Sequence, residues 1–408
     1  MITKSVAFFV DSFPKYSEPF IVNQIVGLID LGFEVKIFSR KHNRNIIPTE
    51  DILKYELLDK HKCYIEDIHI PDNKLERIKQ AFCIYRNNPK IRKPIIELIN
   101  PLKHGRRGLS LRHVFQLGYF SDCMDPFDVI HAHYGPNGKE VLKLQKIGLF
   151  NARKTVVTFH GYDLHDYESK FYEDLFKSNY TYTVNSQYSK TKLEQLGATS
   201  KITIIPMGLS DVYLKDIEIS KTEKKITILT VARLVPVKGI EYGIRAIKII
   251  IGQGYEVNYW IIGEGELKNE LQKLINKEDL DHHILLLGAK TEEEVYETYK
   301  STDIFMLPGI STNGGVQEAQ GLVIQEAQAM EIPVLVTDAG GMKEGMIDNE
   351  TGYVVPQKNP EAIANKLVRL IEDESLRERF GKKGRDFVKE NYDNRRLIKR
   401  LVSEVYES

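Results

Sequence analysis

Short apolar runs and longer amphipathic stretches alternate along nearly the whole chain. In the first half, "KSVAFFVD" (4–11), "EVKIFSR" (34–40), "DVIHAHYG" (128–135), "TVVTFHG" (155–161), "YTYTVNS" (180–186) and "ITIIPMG" (202–208) are rich in β-branched and aromatic residues and read as strands. The second half repeats the rhythm with "ITILTVARL" (226–234), "VNYWIIGEG" (257–265), "ILLLGAK" (284–290), "DIFMLPG" (303–309), "IPVLVTDAGG" (332–341) and "GYVVP" (352–356). Near-continuous apolar strands separated by helices predict parallel sheets covered on both faces. The polar segment "DVYLKDIEISKTEKK" (211–225) divides the two series. The expectation is two doubly wound, Rossmann-like α/β domains over residues 1–213 and 226–385, joined by a linker at 214–225. A terminal amphipathic helix is expected over 386–408. In such sheets ligands bind beyond the carboxyl ends of the strands, so the residues there become the candidates.

Composition narrows the class. The 408 residues are 42% apolar, enough for cores in two or three domains. Fifty-seven Lys and Arg balance 57 Asp and Glu, and a formal net charge of zero argues against a dedicated nucleic-acid binder. Cys63, Cys83 and Cys123 are scattered without metal-ligand spacing and read as reduced thiols. No apolar run approaches the ~18 residues of a bilayer span, and Asp11 breaks the first one too early for a signal peptide. A cytoplasmic protein is expected. The even charge is broken over 77–113, where Lys and Arg are many and Glu97 is the single acid. That region reads equally as a helical insertion with a charged outer face or as a surface for anionic lipid.

Three strand ends carry candidate chemistry. Arg233 and Lys238 follow "ITILTVARL" just before a helix, and two cations there suit a diphosphate. Gly263 and Gly265 begin a G-x-G turn, but Lys268 replaces the third glycine of a dinucleotide fingerprint. In "EAQGLVIQEAQAM" (318–330) a helix is expected to begin near Gly321, leaving the amides of Gly321, Leu322 and Val323 as unpaired donors. Glu318 precedes that turn and Glu326 lies more than a turn into the helix, so the two acids reach different regions. A diphosphate on the amides puts a sugar toward Glu318 and a ribose toward Glu326, each carboxylate accepting hydroxyl hydrogen bonds. Singly, each of these residues also fits an ordinary loop or helix surface.

In combination, Arg233, Lys238, the G-x-G turn and the Glu318–x7–Glu326 pair resemble the retaining GT-B glycosyltransferases of family GT4. "FPKYSEPFIVNQIVGLIDLGFEVKIFS", "IHAHYG" and "TFHGYD" in the first half are similar to the exopolysaccharide branch of colanic-acid and amylovoran transferases. The resemblance covers essentially the whole chain. It implies the GT-B fold, two Rossmann-like domains facing across a cleft with the C-terminal helix crossing back to the first. It also implies retaining transfer of a hexose from a UDP- or GDP-type nucleotide sugar to a glycan or polyprenyl-diphosphate-linked acceptor, at the inner face of the cell membrane. By the same resemblance Arg233 and Lys238 neutralise the donor diphosphate, Glu318 holds the sugar, Glu326 the ribose, and His160 sits beside sugar and acceptor. Glu18, with Ser17 as N-cap of the first long helix, and Asp163 are assigned to the acceptor. No metal or other cofactor is expected, since the compensating cations are built in, and "DLD" (279–281) lies away from the strand ends. The chain departs from many GT4 members in lacking a glycine pair in "DSFPKYSE". Two alternatives stay open: a GT-B nucleotide-sugar epimerase or hydrolase, and a non-catalytic sugar-binding protein on the same fold.

Overall fold

A computed structural model describes residues 4–15, 18–43, 46, 48–63, 66–100, 110–121, 125–216 and 225–408. Among these residues thirteen strands form two sheets. The first holds β1 (Ser5–Phe13), β2 (Glu34–His42), β3 (His61–Cys63), β4 (Phe127–His133), β5 (Ala152–Phe159), β6 (Thr181–Val184) and β7 (Ile202–Ile204), in the order β3-β2-β1-β4-β5-β6-β7. The second holds β8 (Ile226–Val231), β9 (Val257–Ile262), β10 (Ile284–Gly288), β11 (Ile304–Leu307), β12 (Val334–Thr337) and β13 (Gly352–Val355), in the order β10-β9-β8-β11-β12-β13. Neighbouring strands pair in parallel, as β1 does with both β2 and β4, and β8 with both β9 and β11.

The cause is legible in the burial pattern. Val6 to Val10 of β1 are all buried without alternation, as are all residues of β11 and β12. A strand buried on both faces needs cover on both, which crossover helices supply. β3 was not expected: His-Lys-Cys carries no apolar run and is held as an edge strand by pairing with β2. The expected strands all form, and several stop short of the quoted runs. "HG", "ARL", "GEG" and "AGG" fall in the loops beyond their carboxyl ends, and "YG" leads directly into the helix Gly135–Lys146.

The chain divides into two compact units. One comprises Met1–Thr183, Leu193–Thr203 and Leu401–Ser408; the other comprises Val184–Lys192 and Ile204–Arg400. The second unit thus begins before the expected linker, because Leu209 and Tyr213 are buried in its core and Leu209 bridges Asp393. Residues 217–224 of that linker lie outside the described residues. The single terminal helix expected over 386–408 is instead three pieces: Glu374–Asn391, Asn394–Leu401 and a π-helical turn Val402–Tyr406. The break falls at Tyr392 and Asp393, where the Tyr392 carbonyl accepts from Leu209 N–H and the Asp393 carboxylate from Arg395 N–H. The last residues belong to the first unit, where buried Tyr406 hydrogen-bonds His131 Nδ1 at 2.7 Å.

Each sheet reverses its order once, between β1 and β4 and between β8 and β11. At such a switch point the loops beyond the two strands diverge and leave a crevice at their carboxyl ends. The β8 loop carries Arg233 and Lys238; the β11 loop carries Glu318.

Candidate active site

In the C-terminal unit the switch point brings two of the expected residues into contact. Lys238 ends a 3-10 turn, Pro236–Lys238, and its Nζ forms an ion pair with Glu318 Oε2. Both side chains are mostly buried, at 12% and 20% exposure. Burial alone would raise the Glu318 pKa. The charge and hydrogen bond of Lys238, the field of Arg233 and the Ala319 amide outweigh it and hold the carboxyl below its ordinary value. Glu318 is therefore an anion, held against a cation at the mouth of the sheet. Arg233 itself is exposed.

Close backbone approach fixes Glu318 in place. Gly341 N–H donates to the Glu318 carbonyl at 2.8 Å. A Cβ on Gly340 would sit 2.1 Å from that carbonyl oxygen, and one on Gly341 2.0 Å from the Ala319 oxygen. Any side chain at either position would push the β11 loop away from the end of β12. The sequence reading missed this pair, although a Gly-Gly directly after an apolar strand is its signal.

The helix Leu322–Ala329 starts at Gly321, whose φ of 77° makes the sharp entry, and no side chain caps it. Its first-turn amides, at Leu322 and Val323, thus retain the donor character of a helix N-terminus. Gly321 lies against Glu318: a Cβ there would be 3.5 Å from Glu318 Cγ. Glu326, within the same helix, meets different partners. It accepts from Tyr299 Oη at 3.2 Å and from the Tyr213 hydroxyl. Burial, reinforced by the charge of Glu292, pushes its pKa up to about 7 despite those two hydroxyls. Glu318 has a cation and stays ionised; Glu326 is served by tyrosines and titrates near neutrality. Tyr213, Tyr299 and Glu292 were not singled out in the sequence, because they come from distant segments with no motif of their own.

Gly263 and Gly265, expected at the donor, are glycines for an internal reason. A Cβ on Gly263 would lie 1.8 Å from the Ala232 oxygen and one on Gly265 2.4 Å from the Leu234 oxygen. The β9 loop packs directly on the β8 loop, through Leu234 N–H to the Glu264 carbonyl and Leu267 N–H to the Leu234 carbonyl. The turn supports the strand-end loop of Arg233; ligand approach is not what excludes side chains there.

In the N-terminal unit, His160 follows β5. Its Nε2 is 2.9 Å from His133 Nδ1, the two rings stack at 5.1 Å, and Phe20 and Tyr134 lie against it. Burial, and secondarily His133, holds its pKa well below the ordinary 6.5; His133 falls to about 3 by burial alone. Both imidazoles are neutral hydrogen-bonding groups at pH 7. Glu18 occupies the capping position of the helix Pro19–Asp30 and makes no side-chain cap. Its carboxylate pairs with Lys15 and accepts from Tyr134 Oη at 2.9 Å, with 5% exposure. Ser17, expected as the cap, lies outside the described residues. Asp163 is fully buried and accepts three backbone N–H groups, from Gly135, His160 and Gly161. This corrects its assignment to the acceptor: a carboxylate closed inside the fold positions the loop of His160 and offers no face to a substrate. Burial raises its pKa to about 6 against those three bonds.

Asp279 and Asp281 of "DLD" are exposed. Among the described residues one group has metal-ligand proximity, His42, Cys63 and Asp67, with donor atoms within 4.8 Å of one another. Hydrogen bonds account for that proximity: His42 Nε2 is 2.9 Å from Asp67 Oδ1, and Cys63 N–H and Tyr119 Oη donate to Asp67 Oδ2.

Comparison with known proteins covers both units. A family model described as "Glycosyltransferase Family 4" matches residues 17–211, and one described as "Glycosyl transferases group 1" matches residues 214–387. The chain is 28% identical to the amylovoran biosynthesis glycosyltransferase AmsK of Erwinia amylovora, over 91% of each chain. It is 27% identical to the putative colanic acid biosynthesis glycosyltransferase WcaL of Salmonella typhimurium, over 98% of each. Among solved structures, Anabaena Alr3699/HepE in complex with UDP and glucose superposes with a TM-score of 0.68 at 16% identity, covering 99% of this chain and 100% of that one. The fold is thus shared with the GT-B glycosyltransferases.

Proposed function

This chain belongs to the glycosyltransferases of those two tandem families, and from that premise we propose which transfer it performs and with which residues. The protein is a glycosyltransferase of surface or exopolysaccharide synthesis. The proposed reaction moves a hexose, with retention of anomeric configuration, from a UDP- or GDP-type sugar to a glycan or polyprenyl-diphosphate-linked acceptor. The observation that carries the site assignment is the Lys238–Glu318 pair at the switch point, with Arg233 on the same loop and a helix N-terminus adjoining Glu318.

As the anomeric bond breaks, negative charge collects on the nucleoside diphosphate. Lys238, Arg233 and the amides of Leu322 and Val323 answer that charge with groups already in place, which is where electrostatic catalysis is most effective. Glu318, kept ionised by Lys238, accepts hydroxyls of the transferred sugar beside the diphosphate. Glu326 takes the ribose. His160, neutral, serves the sugar and acceptor as a hydrogen-bonding partner, with Glu18 as a further acceptor contact. With two side-chain cations built in, no metal is required. Among the described residues no helix is long and apolar enough to cross a membrane, and the proposed location is the inner face of the cell membrane, held peripherally.

Incubation of the full chain with a panel of UDP- and GDP-sugars, with and without glycan and polyprenyl-diphosphate acceptors, tests this reading. Nucleotide release that requires acceptor, with an NMR-assigned product of retained configuration, is the expected result. Release without acceptor would turn the reading to an epimerase or hydrolase, and binding without turnover to a non-catalytic sugar-binding protein.

A further inference from the structure

We propose that the outer face of the helix Lys74–Asn87, together with the following helix Arg92–Leu98, docks on an anionic lipid bilayer. The proposal deepens the transferase reading, since a lipid-linked acceptor is met at such a surface, but its physical argument stands apart from the chemistry.

The helix Lys74–Asn87 has two unlike faces. One is turned inward: Ala81 is buried, Ile84 is tight against Gly118 of the helix Arg112–Tyr119, and Arg77 donates to the carbonyls of Pro71, Asp72 and Ser110. The opposite face, at helical spacing, carries Leu75, Ile78, Lys79, Phe82 and Arg86. Leu75 is 79% exposed, Ile78 56% and Phe82 62%. A helix packed on one side ordinarily shows water its charged residues there. In the next helix, Ile95 and Leu98 point inward while Ile96 is left exposed, with Ile99 just beyond it. Among the described residues, five of the eleven large exposed hydrophobics fall within residues 75–99, far more than chance scatter over the surface would place there.

The charge around this patch selects the occupant. Residues 74–99 hold seven Lys and Arg and two Glu, in a chain whose formal net charge is zero. Lys79, Arg86 and Lys93 make no ion pair among the described residues. A second copy of this chain would set cations against cations. A bilayer with anionic headgroups supplies both missing partners, negative charge at the surface and an apolar layer just beneath for Leu75, Ile78, Phe82 and Ile96.

Flotation with vesicles of phosphatidylcholine alone, or with a third phosphatidylglycerol, tests the assignment on the full chain. Binding to the mixed vesicles and not to the neutral ones is expected. Lys79→Glu and Arg86→Glu should each lower the partition coefficient by at least roughly fivefold, the loss expected for one cation near an anionic surface. The triple variant Leu75→Ser, Ile78→Ser, Phe82→Ser should lower it more than about tenfold, since each loses buried apolar area. All of these positions are exposed, and circular dichroism is the check that each variant folds. Turnover with a water-soluble acceptor should be unchanged in every variant, so failure of the transferase reading and failure of this one separate cleanly. Absence of binding to mixed vesicles, binding indifferent to these variants, or concentration-dependent dimerisation abolished by the triple variant would overturn the proposal.

Discussion

Replacing Glu326 by Gln probes a carboxyl that the fold holds at a disadvantage. Its pKa is displaced from an ordinary 4.5 to about 7, chiefly by burial and then by Glu292, with only the hydroxyls of Tyr299 and Tyr213 in opposition. A gap of that size corresponds to about 3 kcal/mol between the two protonation states. The folded protein binds this proton more tightly than the unfolded chain does. Below about pH 4.5 both states are protonated and Glu326 costs nothing; as pH rises toward 7 the unfolded chain ionises first, and stability falls by up to that amount. Gln is nearly the same size, is neutral throughout and still accepts from both tyrosines. Wild type and Glu326→Gln should therefore unfold alike in urea or heat near pH 4, while at pH 8 the variant is the more stable by up to about 3 kcal/mol. Binding should move the opposite way. Ribose hydroxyls donate to the anion, so nucleoside-diphosphate affinity at pH 8, measured by calorimetry, should weaken by about 1.5–3 kcal/mol in the variant. The wild-type advantage should shrink as pH falls through 7. Equal stability at pH 8 would refute the uncompensated burial of this carboxyl, and unchanged nucleotide affinity would refute its ribose role.

Three further outcomes are expected. Lys238→Ala should weaken nucleoside-diphosphate binding by about 1.5–3 kcal/mol through loss of a charged phosphate contact, and normal affinity with normal kinetics would remove Lys238 from the diphosphate site. Glu318→Gln should cut turnover while leaving affinity for the free nucleoside diphosphate nearly intact, because that product carries no sugar; a matching loss of affinity would place Glu318 elsewhere. Turnover should survive EDTA, since Lys238, Arg233 and the helix amides supply the counter-charge, and loss restored by Mg²⁺ or Mn²⁺ would refute a metal-free mechanism.

The twelve apolar runs were sufficient to predict twelve of the thirteen strands, because a parallel strand buried on both faces must be apolar along its length whatever its partners are. β3 escaped because edge pairing with β2, not its own composition, makes it a strand. The strand-end positions of Arg233, Lys238, Glu318 and His160 were likewise legible, since strand-then-loop order is a property of the chain itself. Tertiary structure decided what each group meets. The Lys238–Glu318 pair joins residues eighty positions apart, and the lowered pKa of Glu318 follows mainly from that meeting, with Arg233 and the Ala319 amide adding to it. Tyr213, from one segment, and Glu292 and Tyr299, from the helix Glu292–Lys300, converge on Glu326, so its titration near neutrality had no trace in "LVIQEAQAM". Asp163 was read as a substrate contact because sequence shows a carboxylate's presence and hides its burial. The internal reason for Gly263 and Gly265 was hidden, because a G-x-G turn is the same string whether or not the Ala232 and Leu234 carbonyls stand against it. Local order and periodicity belong to the sequence; burial, charge pairing and close backbone approach arise between distant segments, and only folding sets them.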